Sequence, residues 1–233
     1  MTQDPVSNTV FEIDEVAKTF GNNGIRTYGV RNATLEASKG EFVLLMGPSG
    51  SGKTTLLMLI AGLISADNGS VRLFGNHLSR YTQKELQALR AKRIGFIFQN
   101  FLLIDSLTVL ENLTLVMHFC GINGARARSR GLELLESLDI ERHAQKYPVQ
   151  LSHGEKQRVA VARAIANNPG LIIADEPTAS LESRQGFEII SLLNEYKKEQ
   201  HACIIAASHD IRIKEYADRV VWMEDGKIEN SHR

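Results

Sequence analysis

Gly47-Pro48-Ser49-Gly50-Ser51-Gly52-Lys53-Thr54 decides the reading of this chain, because it forms a complete phosphate-binding loop between an apolar strand and an apolar helix. Upstream, Phe42-Val43-Leu44-Leu45-Met46 predicts a short buried strand, and downstream, Thr55-Leu56-Leu57-Met58-Leu59-Ile60 predicts a helix packed on a sheet. The glycines let backbone N–H groups turn inward around an anion, the helix N-terminus adds its positive dipole end, and Lys53 supplies a full charge for the β- and γ-phosphates. Thr54 is placed to set its hydroxyl on Mg²⁺. A glycine-rich turn with an incidental lysine would need neither the strand nor the helix. The expected ligand is a nucleoside triphosphate.

With 233 residues, 43% hydrophobic and 23% charged, the chain has enough apolar material for a real core in one domain, divided at most into two lobes. Its apolar runs fall short of the roughly 18 residues that a membrane-spanning helix needs. The start, Met1-Thr2-Gln3-Asp4-Pro5, lacks the basic-then-apolar order of a signal peptide, so the protein is expected to stay where it is made. Lys plus Arg and Asp plus Glu both number 27, a balance that implies no basic face for nucleic acid. Cys120 and Cys203 lie in apolar surroundings without ligand spacing, which predicts small buried hydrophobes in a reducing compartment, not a disulfide framework or a zinc site.

Strand patterns cover residues 10–20, 26–35, 42–46 and 70–74, so the first ninety or so residues read as strands with a single helix after the phosphate loop. The antiparallel pairs among them predict a small β-lobe. A buried strand, Ile94-Gly95-Phe96-Ile97-Phe98, runs into Gln99, and a mainly helical stretch follows, broken at Gly121 and Gly124 and ended by Tyr147-Pro148. After it the chain returns to strand–helix alternation: a strand at 171–174, a helix around 187–196, a strand at 202–207 and a closing hairpin through Asp225-Gly226. The expected fold is α/β, a mostly parallel sheet covered by helices, with a core made of residues 1–95 and 160–233 and a helical subdomain at 100–159.

A phosphate loop needs an acidic strand end for Mg²⁺, and Leu171-Ile172-Ile173-Ala174-Asp175-Glu176 supplies one. Asp175 is expected to face the metal, and Glu176 to accept a proton from the water that attacks the γ-phosphate. Helix capping alone would explain one of these acids but not both. Just before that strand, Leu151-Ser152-His153-Gly154-Glu155 opens an alanine-rich helix. Ser152 and Glu155 have capping-box spacing, and Gly154 leaves the helix mouth bare enough for a phosphate to approach. A second phosphate site is redundant for one nucleotide. It makes sense if it is offered to another subunit.

These motifs, in this order and over nearly the whole chain, resemble those of the ATP-binding subunits of ABC transporters. Residues 47–54 are similar to Walker A, Gln99 to the Q-loop, 151–155 to the signature, 171–176 to Walker B, Ala179-Ser180-Leu181-Glu182 to the D-loop and His209 to the switch histidine. The resemblance implies a P-loop NTPase core, Mg²⁺-dependent ATP hydrolysis, and a head-to-tail homodimer in which each ATP lies between Walker A of one copy and the signature of the other. It further implies that Thr54, Gln99 and Asp175 serve the metal, that Glu176, His209 and Gln99 serve hydrolysis, and that Gly47, Pro48, Ser49, Gly50, Ser51, Gly52, Lys53, Thr54 and Thr55 bind the nucleotide with Ser152, His153, Gly154 and Glu155. Phe20 is the expected adenine platform, with Tyr28 its competitor. The implied partner is a separate integral membrane permease subunit, met on the cytoplasmic side of the cell membrane.

The pattern is broken in places. His153 stands where the signature usually has glycine, Glu155 where glutamine is commonest, and Glu182 where the D-loop usually ends in aspartate. An acid at 155 suits the helix dipole, whereas His153 either crowds the phosphate or, protonated, adds charge that binds it, and the sites are expected to be active but slow. Residues 95–99, 107–113 and 223–227 most resemble the branch serving lipoprotein release, macrolide-type efflux and cell division. The leading expectation is a transporter motor. An ATP-gated regulator of a cell-wall enzyme is the second, and a soluble ATPase on nucleic acid or the ribosome is disfavoured by the neutral charge and the lack of a tandem domain.

Overall fold

The computed structural model describes residues 8–21, 27–179 and 181–232; residues 1–5, Arg26 and Ser180, which figured in the expectations above, lie outside them. Two long strands with mixed burial, β1 (Thr9–Phe20) and β2 (Thr27–Ser38), pair antiparallel, and β1 also pairs with β4 (Asn68–Leu73), which meets the short β5 (Asn76–His77). This is the expected β-lobe, a sheet of order β2-β1-β4-β5. Its strands bury one face and show the other to water, as antiparallel sheets can.

Strands β3 (Phe42–Met46), β7 (Leu171–Asp175) and β8 (Cys203–Ala207) are buried at every position. Together with β6 (Ile94–Ile97), β9 (Arg219–Glu224) and β10 (Lys227–His232) they form a second sheet of order β10-β9-β3-β8-β7-β6, parallel except for the terminal hairpin. Near-continuous apolar runs, broken in β7 only by its last residue Asp175, are what a sheet covered on both faces requires. Alternate side chains then serve different cores. Val43, Leu45, Ile173, Ile205 and Ala207 pack with α1 (Lys53–Ile60) and the β-lobe, while Leu44, Ile172, Ala174, Ile204 and Ala206 join the core under the remaining helices.

A second helix, α2 (Gln83–Arg93), corrects the expectation that the first ninety residues hold only one. It buries only Leu86, so no apolar stripe announces it. Its start is set by a capping box, in which Thr82 Oγ1 accepts from Glu85 N at 3.3 Å and Thr82 N donates to Glu85 Oε2 at 2.7 Å, an arrangement that contributes about 1 kcal/mol. Beyond β6 the helical stretch consists of α3 (Val109–His118) and α4 (Gly124–Ser137), followed by α5 (His153–Ile165) and, after β7, α6 (Ser183–Gln200). Residue 160 falls inside α5, so that helix runs from the helical region into the core without a break. Among the described residues no helix is long and apolar enough to cross a membrane.

Candidate nucleotide site

Helix α1 begins at Gly52, whose φ of 102° places it in the left-handed region and which gives the helix no side-chain cap. The first N–H groups of α1 are therefore not claimed by a capping oxygen. Bulk is forbidden on both sides of the turn: a Cβ at Gly47 would lie 2.0 Å from Met223 O, and one at Gly52 would lie 2.0 Å from Gly29 O. The β9–β10 turn braces the loop, since Gly226 N donates to Ser51 O at 2.9 Å. Lys53 is buried, and its Nζ donates to the carbonyls of Gly47 and Pro48, each at 2.9 Å. An ammonium has three N–H bonds, so one is left for a phosphate.

Thr54 Oγ1 donates to Asp175 Oδ2 at 2.8 Å, which joins the start of α1 to the end of β7. Burial pushes the Asp175 carboxyl up; the Thr54 hydrogen bond opposes this, the Glu176 charge adds to it, and Lys53 pulls it down. Glu176 itself sits at φ 50°, and its N–H donates to Ala207 O at 2.9 Å, so the chain turns sharply and the side chain leaves the line of the strand. Its Oε2 lies 3.0 Å from His209 Nδ1. The His209 side chain is otherwise 70% exposed, so its second nitrogen is open to a ligand.

A cavity of about 610 Å³ at the C-terminal ends of β3, β7 and β8 is lined by Phe20, Tyr28, Gly47, Pro48, Ser49, Gly50, Gly52, Lys53, Thr54, Thr55, Gln99, Asp175, Glu176 and His209. Ligands in open parallel sheets sit outside these strand ends. Ser51 lies beneath the loop rather than in the cavity wall, with its Oγ buried and lacking a protein partner. Phe20 and Tyr28 both stand at the mouth, 46% and 49% exposed. They differ in their support. The Phe20 ring rests on Gly29, where a Cβ would meet its Cε2 at 2.7 Å, and Tyr28 carries the Arg31 guanidinium 4.2 Å from its ring centroid.

Ser152, His153, Gly154 and Glu155 do not line this cavity; they form the mouth of α5 elsewhere on the same chain. Here the mouth is closed by its own side chains. Glu155 N donates to Ser152 Oγ at 3.3 Å, and Ser152 N donates to Glu155 Oε2 at 2.8 Å. These bonds hold the Glu155 carboxyl below the usual glutamate range, with the Ser152 backbone contact the largest cause. His153 is exposed and meets Phe101 edge-on, ring centroids 5.9 Å apart. Glu182 occupies the N-cap of α6 without making a cap bond, which a shorter aspartate could reach.

Beside Gln99, a groove of about 280 Å³ between β6, α3 and α5 is lined by Phe96, Phe98, Leu102, Ile104, Leu115 and Phe119 among others. Leu102, Ile104 and Phe119 are 56%, 41% and 65% exposed among the described residues. Arg163 Nη2 donates to Phe101 O at 2.7 Å, and Ile104 N donates to Asn112 Oδ1 at 2.8 Å, so the loop forming one wall is tied down at both ends. Sequence reading missed this groove, because its apolar residues come from segments far apart in the chain. It also missed Gly29 and Ser208. An isolated glycine in a strand pattern, here the extra residue at a bulge in the β1–β2 pairing, was a usable signal for the first; Ser208, fully buried and accepting from Asp210 N at 3.1 Å, offered none.

Residues 30–179 match the ABC transporter family. The chain is 43% identical over 216 residues to the putative hemin import ATP-binding protein HrtA of Staphylococcus aureus, a match covering 93% of this chain and 97% of HrtA. The protein belongs to the ABC transporter family, as an ATP-binding subunit that hydrolyses ATP. Its fold matches that of MJ0796, a bacterial ABC transporter cassette solved as a dimer in a post-hydrolysis state with ADP and Pi, at TM-score 0.91 and 38% identity over 96% of this chain and 98% of that one. It also matches cbiO1 of Clostridium perfringens, part of the transporter complex cbiONQ, at TM-score 0.84 and 28% identity over 97% and 88% of the two chains.

Proposed function

We propose that the chain works as a head-to-tail pair, each ATP lying between the phosphate loop of one copy and the α5 mouth of the other, and that this pair drives a separate integral membrane subunit from the cytoplasmic face of the cell membrane. The observation that carries the reading is the placement of phosphate-facing helix ends at separate sites on one chain: α1 opens into the cavity, and α5 opens outside it. A single nucleotide cannot use both in one copy. Reciprocal use across a two-fold axis employs each of them.

Phe20 stacks the adenine, with Tyr28 next to it, and the loop N–H groups with Lys53 hold the phosphates. Thr54, Asp175 and Gln99 are the residues that would hold Mg²⁺. A hydroxyl beside a carboxylate is a hard oxygen set suited to that ion. The described residues offer no group of three or more His, Cys, Asp or Glu to cage a metal, so phosphate and water oxygens would complete the shell. When bound, the ion supplies charge neutralisation at the β- and γ-oxygens. Glu176 accepts the proton of the attacking water, His209 Nδ1 stands 3.0 Å from its Oε2, and the remaining imidazole nitrogen faces the γ-phosphate.

The exposed groove beside Gln99 takes an apolar segment of the membrane subunit, so that Gln99 reports its position to the cavity. Residues 95–99, 107–113 and 223–227 support the export or lipoprotein-release branch, with ATP-gated control of a cell-wall enzyme as the second output. The name of HrtA adds hemin as a cargo, and the import in that name runs against the export direction.

The test is to express a tagged Glu176→Gln chain in its native host, extract the membranes with mild detergent and ATP, and identify by mass spectrometry what co-purifies. A membrane protein is expected, and its external domains separate transport from cell-wall control. Recovery of soluble partners, ribosomes or DNA alone would contradict the motor reading.

A further inference from the structure

We infer that Arg163 is a positioning residue for Gln99: from the last turn of α5 its guanidinium holds the turn at Phe101 and Leu102, and so fixes where Gln99, two residues earlier, stands at the nucleotide cavity. The inference deepens the reading above, in which Gln99 serves Mg²⁺, and rests on it. It starts from the backbone. Phe101 and Leu102 have φ of 59° and 47°, two consecutive residues with a Cβ in the left-handed region, which such residues seldom enter in pairs. A conformation of that kind persists where the surroundings hold it.

The grip is a fork on two carbonyls. Arg163 Nη2 donates to Phe101 O at 2.7 Å, and Nη1 donates to Leu102 O at 2.5 Å. A planar guanidinium presents such N–H groups at a fixed spacing, which a lysine ammonium does not. Within the turn, Phe101 N donates to Phe98 O at 3.0 Å and Leu102 N donates to Asn100 O at 2.5 Å, so Arg163 takes the acceptors that the turn itself leaves over. Burial pushes the guanidinium pKa down, and among the described residues no carboxylate pairs with it, so the two carbonyl oxygens are what compensate its desolvation.

The same turn of α5 holds the other end of the segment. A Cβ at Gly95 would stand 2.3 Å from Ala164 O, so strand β6 runs against the helix with no room between them. Residues 96–100 are thus bracketed by Gly95 and Phe101, both seated on residues 163–164, and Gln99 is the one among them that lines the cavity. Phe96 and Phe98 stack within the bracket, their ring centroids 4.0 Å apart. Phe101 reaches further: its ring meets His153 at the opposite end of α5, about 15 Å of helix from Arg163. The helix that offers its mouth to a partner copy therefore also carries the residue that sets Gln99 in its own cavity.

The test is a cycle of Arg163→Gln, Gln99→Ala and the double variant in the full chain. Mg²⁺ affinity is read by calorimetry on the ATP-loaded Glu176→Gln background, and kcat is read without that background change. Arg163→Gln is expected to weaken Mg²⁺ binding and lower kcat by about tenfold or more, as loss of a group that orients a metal-serving residue does. ATP affinity measured without Mg²⁺ should stay within about twofold, because the phosphate loop and the aromatic mouth are untouched. The double variant is expected to lose no more than Gln99→Ala alone, since an effect acting through Gln99 cannot be lost twice. Arg163→Lys, which keeps the charge and can reach one carbonyl, enters the same cycle with a smaller loss if the glutamine variant does not fold. Losses that multiply in the double variant would show a merely structural role and overturn the inference, as would wild-type Mg²⁺ affinity and kcat in Arg163→Gln. Gln99→Ala with wild-type Mg²⁺ affinity and kcat would instead overturn the role given to Gln99, and this inference with it.

Discussion

The mouths of α1 and α5 are both helix N-termini suited to phosphate, and they are built in opposite ways. At α1 the N-cap is a left-handed glycine with no side-chain cap, Gly47 and Gly52 have no room for a Cβ, and the flanking strand and helix are largely buried. At α5 the N-cap is a serine in a closed capping box, the first helical residue is an exposed histidine, and the carboxylate at the third position is bonded back to that serine. The first mouth is finished within its own chain, its Lys53 held by the Gly47 and Pro48 carbonyls. The second satisfies itself until something arrives. That difference is what a site split between copies requires: one half preorganised for the nucleotide, the other stable alone and adjustable on contact.

Placing the same substitution on each mouth sharpens the comparison. Gly52→Ala drives a Cβ to 2.0 Å from Gly29 O at a φ of 102°, so the expected outcome is a loss of stability of about 2–4 kcal/mol, read as a lower thermal midpoint. Gly154→Ala meets only the flexible end of Gln185, 2.8 Å away, so stability should change by less than about 1 kcal/mol while the ATP-dependent dimer weakens. Equal thermal shifts from the two variants would break the contrast.

The next effect concerns acid. Because burial raises the Asp175 carboxyl, protons compete with Mg²⁺ there at higher pH than at an ordinary aspartate, so Mg²⁺-supported ATP binding should fall on acidification before an ordinary aspartate would begin to protonate. In the nucleotide-free chain the same shift costs stability as pH rises from the ordinary aspartate value to the raised one, since the unfolded chain ionises first. Asp175→Asn should flatten both profiles, checked by calorimetric Mg²⁺ titration and by thermal melts across that range. The smallest effect is expected at His153→Gly, where clearing the α5 mouth should raise turnover by no more than a few-fold; steady-state ATPase rates that match the wild type would show the histidine to be silent.

Much of the α1 mouth was legible in the sequence because its determinants are local. Consecutive apolar residues announce β3 and β7, and the glycine spacing announces the turn between β3 and α1. The α5 mouth was legible as a capping box with a bare glycine at the helix opening, but its surroundings were not. His143, whose Nε2 lies 2.8 Å from Glu155 Oε1, comes from another segment and is brought there by tertiary packing, which no periodicity records. Helix α2 was missed for a related reason: with Leu86 its only buried residue, it has helix-forming composition but no stripe. Glu182 and Tyr28 mark a different limit. Spacing located both, but whether a longer acid can cap α6, or which ring meets a base, depends on reach and support that appear only in three dimensions.

The central claim is that one ATP needs the α1 mouth of one copy and the α5 mouth of another, and mixed variants test it directly. In the Glu176→Gln background, chains carrying Lys53→Ala and chains carrying Ser152→Arg would each be examined with ATP by light scattering, alone and then mixed. Each alone has both composite sites broken and is expected to remain monomeric; the mixture restores one intact site and is expected to form a dimer. A mixture that stays monomeric, or a Ser152→Arg chain that dimerises by itself, would contradict the account.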